Sequence, residues 1–185
     1  RTDPRCIDPR PRTAIVVHDN YSHPAPLPGT GIKVARYARG DDYHRVTMRR
    51  LYQLADLLRR CKPIAVVGLS DSWLRPSYTT SRYMQEQGYR IVPVNPKGGE
   101  ILGEKCYKAL REIPFEIDMV NVFRRPEDMM PIAQEAVAQA KRLKIQCFWQ
   151  QLGIDNEQAA ELVSQAGLHS VSDRCVKIEH ARLIR

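Results

Sequence analysis

Four apolar residues, Ile64-Ala65-Val66-Val67, run without a polar break into Gly68. A half-exposed strand would alternate apolar and polar side chains, so an unbroken β-branched run fits a strand buried on both faces of a parallel sheet. Gly68 lets the backbone turn sharply there and lets a ligand approach without a Cβ in the way. A polar turn with Ser70 and Arg75-Pro76-Ser77 follows, then a helical stretch up to Gly88. A second apolar run, Ile91-Val92-Pro93-Val94, ends in Asn95-Pro96-Lys97. The stretch from Pro63 to Lys97 therefore reads as one βαβ unit, and that unit commits the chain to a parallel sheet covered by helices.

The chemistry of such a unit lies at its first turn. A helix starting near Pro76 or Ser77 presents free N–H groups toward the strand end, a setting that binds anions and pyrophosphate above all. The dinucleotide fingerprint G-x-G-x-x-G is absent, since only Gly68 stands in the turn. The second strand ends in Asn95 and Lys97 rather than in the acid that would hold a ribose 2′-hydroxyl. A lysine there suits a ribose with an extra phosphate, as in NADP or coenzyme A. The turn thus supplies Gly68, Leu69, Ser70, Arg75 and Ser77 as candidate ligand residues, and the end of the second strand supplies Asn95, Pro96 and Lys97.

The rest of the chain repeats the alternation. Leu51, Leu54, Ala55, Leu57 and Leu58 recur at helical spacing within a predicted helix from Val46 to Arg60. Further strands are expected over Asp118–Phe123, Ile145–Trp149 and Leu168–Val171. A short helix is expected around Tyr107 to Arg111, and one opening at Arg124-Arg125-Pro126 should run to about Leu143. Asp155 is expected to cap the next helix, with Gln158 completing a capping box and Gly167 ending it. A last helix covers Val176 to Leu183. The fold class is α/β, a Rossmann-like doubly wound five-stranded parallel sheet, with the ligand along the carboxyl ends of its strands. Phe123, Arg124 and Arg125 after the third strand and Gln151 after the fourth join the candidate set, with Phe123 open between adenine contact and core. Trp149 reads as core. Asp173 and Arg174 read as a pair fixing the loop before Cys175, which stays open between a plain free thiol and a partner for a ligand thiol.

Residues 1–50 look different. They hold six of the thirteen prolines and ten Lys/Arg against five Asp/Glu, so most of the net charge of +8 resides there. Residues 1–46 are expected to form an irregular Pro-rich extension and residues 47–185 the domain. The basic excess comes without a nucleic-acid motif, and no apolar run approaches the roughly 20 residues of a membrane span. No signal-peptide pattern opens the chain. The five cysteines are scattered without a C-x-x-C pair, which implies free thiols in a reducing cytoplasm and no metal site. No nucleophile, base and orienting group stand together, Glu179-His180 included, so no catalytic residue is assigned.

Several motifs together carry a family likeness. Gly68-x-Ser70, Arg75-Pro76-Ser77, Gly88-Tyr89, Pro93-Val94-Asn95-Pro96, Gly103, Asp118-x-Val120-x-Val122-Phe123-Arg124, Trp149-x-Gln151-x-Gly153 and Asp173-Arg174-Cys175 resemble the small stand-alone CoA-binding proteins. Those are similar to the CoA-binding domain of the succinyl-CoA synthetase α subunit. The resemblance runs from about Leu51 to the C-terminus and implies a domain that holds CoA or acyl-CoA. The phosphorylated histidine of the synthetases has no matching motif here. The first reading is therefore a non-catalytic CoA-binding module, a carrier, sensor or subunit whose partner is a second copy or an enzyme complex. The alternative is an NAD(P)-binding oxidoreductase on the same fold. Asp3-Pro4-Arg5, Ala14-Ile15-Val16-Val17 with Asn20-Tyr21, and Ala35-Arg36-Tyr37-Ala38-Arg39-Gly40-Asp41-Asp42-Tyr43-His44 resemble an N-terminal part of epoxyqueuosine reductases. Those are cobalamin-dependent tRNA-modifying enzymes, whose cysteine-rich cluster motifs and catalytic acid motif do not occur here. A fragment of such an enzyme is the third reading.

Overall fold

Ile64 to Val67 form the centre of a parallel sheet in the computed structural model, which describes residues 43–184. Strand β1 (Pro63–Val67) pairs in register with β2 (Arg90–Val94) on one side and β5 (Met119–Val122) on the other. Strands β6 (Cys147–Gln150) and β7 (His169–Val171) extend the sheet in the order β2-β1-β5-β6-β7, all parallel. The chain runs outward from β1 to β2 and then returns past β1 to β5, so the order reverses between β1 and β5. That reversal opens a crevice at the carboxyl ends of the two strands, the usual ligand position in an open α/β sheet. Pro93 lacks an N–H and lies in β2, an edge strand of this sheet, where that loss is tolerated.

The pleat sends alternate residues of each strand into two separate cores. Ala65, Val67, Val120, Val122 and Phe148 pack with α3 (Met129–Leu143) and α4 (Glu157–Gln165). Ile64, Val66, Met119 and Trp149 pack on the other face with α2 (Pro76–Glu86) and α5 (Val176–Leu183). Leu54, Leu57 and Leu58, from the C-terminal part of α1 (Tyr43–Arg60), join that second core. This is the doubly wound architecture expected from the sequence.

The chain divides into two compact units, Arg1–Gln53 and Leu54–Arg185, and the division falls within α1. The expected Pro-rich extension, and with it the Ala14–Val17 strand candidate, lies outside the described residues save for its last few positions, which belong to α1. Among the described residues no helix is long and apolar enough to cross a membrane.

Three local expectations are corrected. Asn156, not Asp155, caps α4, because the helix begins at Glu157 and the Asn156 side chain accepts the N–H of Ala159 at 2.9 Å. The segment around Tyr107 is no α-helix. Tyr107 bridges to Val94 in parallel, and only a 3₁₀ turn, Leu110–Glu112, follows. Pro126–Asp128 is likewise a 3₁₀ turn that precedes α3. A hairpin of two-residue strands, β3 (Glu100–Ile101) and β4 (Glu104–Lys105), fills the long β2–β5 connection.

Candidate functional site

The β1–α2 turn is held from three sides. Gly68 takes φ +86°, a left-handed conformation that favours glycine, and its N–H donates to the carbonyl of Val94 at 2.9 Å. The N–H of Ser70 donates to Ser77 Oγ at 3.2 Å, closing the turn onto the first turn of α2. Asn95 Nδ2 donates to the carbonyl of Leu69 at 2.9 Å, while Asn95 Oδ1 accepts the N–H of Lys97 at 3.0 Å. Asn95 therefore ties the end of β2 to the end of β1. Leu69 itself is fully buried in the α2-side core, so its contribution to the turn is its backbone.

Across the crevice, Phe123 follows β5 and its N–H donates to the carbonyl of Val67 at 2.8 Å. A Cβ on Gly68 would collide with the Phe123 carbonyl oxygen and stand 3.1 Å from Arg124 Nε. The missing side chain at Gly68 thus leaves the room that brings the β1 turn and the β5 loop together. Asn156 Nδ2 donates to the carbonyl of Pro126 at 2.9 Å, which fixes the β5 loop to the start of α4. Buried Gln150 holds the next loop, accepting the N–H of Asn156 at 3.0 Å and donating to Ser172 Oγ at 2.9 Å.

These loops enclose an open cavity of about 840 Å³. Gly68, Ser70, Arg75 and Ser77 line it from the β1–α2 side, Phe123, Arg124 and Arg125 from the β5 loop, and Gln151 from the end of β6. Asn95 and Lys97 line a smaller neighbouring cavity of about 240 Å³, and Ser70 faces both. Leu69 and Pro96 line neither. The structure thus brings ten of the twelve sequence candidates to two adjoining cavities along one sheet edge.

The electrostatics separate residues that look alike in sequence. Arg125 is exposed and turned toward Glu127, at 3.8 Å. Arg124 is half-buried beside Gly68 and makes no ion pair among the described residues. Lys97 and Arg75 make none either among the described residues; Asp128 is the one carboxylate lining the large cavity, while Asp71 and Glu100 line the smaller one with Lys97. The N-cap of α2, Arg75, makes no side-chain cap, and the first turn of that helix holds no acid. Its positive end is therefore left for an anion.

Sequence reasoning missed Thr80. It is only 5 % exposed, it lines the large cavity, and its hydroxyl makes no hydrogen bond among the described residues. The available signal was its spacing, since a residue three positions after Ser77 lies on the same helix face. Gln151 is 3 % exposed; its Nε2 donates to Asn121 Oδ1 at 2.8 Å, and its side-chain oxygen accepts no hydrogen bond among the described residues. Trp149 is core, as expected, and its Nε1 donates to the carbonyl of Arg174 at 2.6 Å.

The expected Asp173–Arg174 pair does not form. Asp173 Oδ1 accepts the N–H of Gly153 at 2.7 Å, and Arg174 reaches back to buried Glu179 at 3.5 Å. The loop is fixed, but by two separate contacts. His180 points away from the cavity into the α2–α5 face, where its Nδ1 lies 3.2 Å from Tyr83 Oη. Among the described residues no group of His, Cys, Asp and Glu side chains is arranged to hold a metal ion.

The family model for the CoA binding domain matches residues 62–181. The chain belongs to this CoA-binding domain family. A second model, Epoxyqueuosine reductase QueG, DUF1730, matches residues 1–72. Within reach of the CoA-binding family, the uncharacterized protein YneT of Bacillus subtilis is 42 % identical over 129 residues, 70 % of this chain and 93 % of that one. The ADP-forming acetate–CoA ligase II of Archaeoglobus fulgidus is 32 % identical over 80 residues, which are 42 % of this chain and 12 % of the ligase. Among solved structures, cell-free ID.343 of Thermus thermophilus superposes with a TM-score of 0.68 at 35 % identity, covering 72 % of this chain and 98 % of that one.

Proposed function

We propose that this chain binds CoA or acyl-CoA as a non-catalytic module. The nucleotide lies over the β1–α2 turn with its ribose phosphate toward Lys97, and the pantetheine arm follows the large cavity toward β6. The observation that carries this reading is the pair of adjoining cavities at the point where strand order reverses. Gly68 leaves room there, and the side chains of Arg124, Lys97 and Thr80 and the Gln151 side-chain oxygen have no partner among the described residues. Buried polar groups are normally paired within the protein, so Thr80 and Gln151 suit a ligand with amide groups, and the cations Arg124 and Lys97 suit its phosphate charge. The volume of the large cavity falls in the range of roughly 300–1,000 Å³ usual for small-molecule sites.

Two observations support a non-catalytic role. No histidine or thiolate–base pair lines the cavity, and His180 is held by Tyr83 on another face. The oxyanion, nucleophile and base that acyl transfer requires are therefore not assembled by the described residues. The chain also corresponds to a small part of the ligase it resembles.

The test is a calorimetric titration of the purified chain with CoA, acetyl-CoA and NADPH in parallel. CoA and acetyl-CoA are expected to bind and NADPH to give no heat of binding. Saturable NADPH binding without CoA binding would establish the oxidoreductase reading instead.

A further inference from the structure

Cys61, Cys106, Cys147 and Cys175 are free thiols among the described residues, and the first three are buried. Burial pushes the Cys61 thiol up to about 12 and raises those of Cys106 and Cys147 as well. Such thiols are poor nucleophiles, since the thiolate is the reactive form. Cys175 differs from them in position. It is half-buried, it lines the large cavity, and as the N-cap of α5 it makes no side-chain hydrogen bond to the helix.

The backbone around Cys175 is well anchored by the Trp149–Arg174 and Gly153–Asp173 hydrogen bonds. Two almost wholly buried residues line the same cavity with a polar atom that has no partner among the described residues, the Thr80 hydroxyl and the Gln151 side-chain oxygen. One donates and the other accepts, a suitable pair for a chain carrying amides. The sheet supplies the scale. Lys97 follows β2 and Cys175 follows β7, the two edge strands, which are four strand spacings apart, or about 19 Å. A ligand with its ribose phosphate at Lys97 that lies along the carboxyl edge carries its far end to Cys175. For CoA that far end is a thiol.

We propose that Cys175 is a covalent capture site, forming a mixed disulfide with CoA by exchange with a CoA disulfide; this rests on the CoA-binding reading above. The Cys175 thiolate attacks one sulfur of the bound disulfide. The bond from Sγ to that sulfur forms as the ligand S–S bond breaks, and the second CoA leaves as a thiolate. Cys175 is oxidised, the departing sulfur is reduced, and the Cys175 proton passes through solvent to the leaving thiolate. The ligand disulfide is the oxidant, so no further reagent enters.

The test incubates the full, reduced chain with CoA disulfide or with glutathione disulfide and follows intact mass and peptide maps over time. Calorimetry with reduced CoA runs beside it. A CoA adduct on Cys175, reversible by dithiothreitol, is expected to form at least about tenfold faster than the glutathione adduct, because a bound disulfide is presented at millimolar effective concentration. Excess adenosine 3′,5′-bisphosphate should remove that advantage, and Cys175→Ser should carry no adduct at this position. A wild-type chain that binds CoA in the calorimeter yet stays unmodified at Cys175, or reacts with both disulfides at one rate, overturns the proposal. No heat with reduced CoA would instead overturn the CoA-binding reading, and this proposal with it.

Discussion

The two edges of the parallel sheet use their polar residues in opposite ways. At the amino edge the groups satisfy one another. The Asp118 carboxylate accepts the N–H of Lys62 at 3.0 Å and Nε2 of Gln146 at 3.1 Å, and Arg60 reaches Gln146 Oε1 at 3.2 Å and Asp56 at 2.8 Å. The Tyr89 hydroxyl donates to the carbonyl of Leu58. At the carboxyl edge, Asn95, Gln150, Asn156 and Asp173 hold the loops in the same closed fashion. The side chains of Arg124, Lys97 and Thr80 beside them face the cavities with no ion pair or hydrogen bond among the described residues. A satisfied polar group stabilises the fold, whereas an open one facing a cavity is left to water and can be paired by a ligand. Asp118 and Arg124 stand six positions apart in one motif, yet they belong to opposite classes.

The strongest way to break this comparison is to close the open edge from within. Gly68→Val places a side chain at φ +86° and against the Phe123 carbonyl. The left-handed backbone alone costs roughly 1–2 kcal/mol for an L residue, and the collision forces the β5 loop to move. CoA binding is expected to vanish in calorimetry, with the melting temperature falling by about 5 °C or more at the usual 2–4 °C per kcal/mol for a chain of this size. Wild-type affinity in the variant would place the ligand away from this turn.

Asp118→Ala should do the reverse. It removes two hydrogen bonds to a charged acceptor, a class worth roughly 1.5–3 kcal/mol each, part of which water restores at this half-exposed site. A loss of about 2 kcal/mol in denaturant unfolding is expected. CoA affinity should stay within about twofold, since the residue lies at the far edge of the sheet. Loss of binding in a variant that still melts cooperatively would mean that the two edges are coupled.

Lys97→Ala sharpens the comparison to one charge. Lys97 is exposed, lines the smaller cavity, and has its backbone set by Asn95. A charged hydrogen bond of roughly 1.5–3 kcal/mol corresponds to about tenfold to a hundredfold in affinity. CoA should weaken by that factor and dephospho-CoA hardly at all. Equal weakening of both ligands would move the ribose phosphate from Lys97 to Arg124.

Most of the fold was legible because burial on both faces writes itself into the sequence. Unbroken apolar runs gave β1 and β2, a run interrupted only by Asn121 gave β5, and Val176 to Leu183 proved to be α5 as expected. The β3–β4 hairpin escaped notice because two-residue strands are too short for any period to show. The α4 cap was misplaced by one residue because Asp155 and Asn156 are both good caps, and only the backbone decides which one the helix follows. In the site, Gly68, Ser70, Ser77 and Arg124 were readable because parallel strands bring their carboxyl ends together. Thr80 was not, since its importance depends on which side of α2 the β5 loop approaches. Nor could sequence separate Arg124 from Arg125, because the Glu127 contact that turns Arg125 away is a matter of loop geometry.

His180 tests a third situation, a titratable group closed off on the α2–α5 face rather than at either edge. Its Nδ1 faces the Tyr83 hydroxyl, and the rings of Tyr83 and Tyr89 stand edge-on to it at 5.7 and 5.4 Å. Burial, and then the Lys62 ammonium, hold its pKa below the ordinary histidine value. Glu179, next to it on α5, is engaged by Arg174 and Arg182. The folded chain therefore takes up this proton less readily than the unfolded chain. The stabilising effect is present in full above the unfolded pKa of about 6.5 and is lost as pH falls through that value toward the folded one. Melting curves from about pH 7 down to about pH 5 should show a shallow fall in Tm, the smallest of the four effects. His180→Gln keeps a partner for Tyr83 without a titrating group, so its Tm should be flatter across the same window, with CoA affinity changing in neither protein beyond what the ligand phosphates themselves impose. Identical slopes in the two proteins would assign the acid sensitivity to groups other than His180, and a loss of CoA affinity confined to His180→Gln would show that this closed face communicates with the open edge.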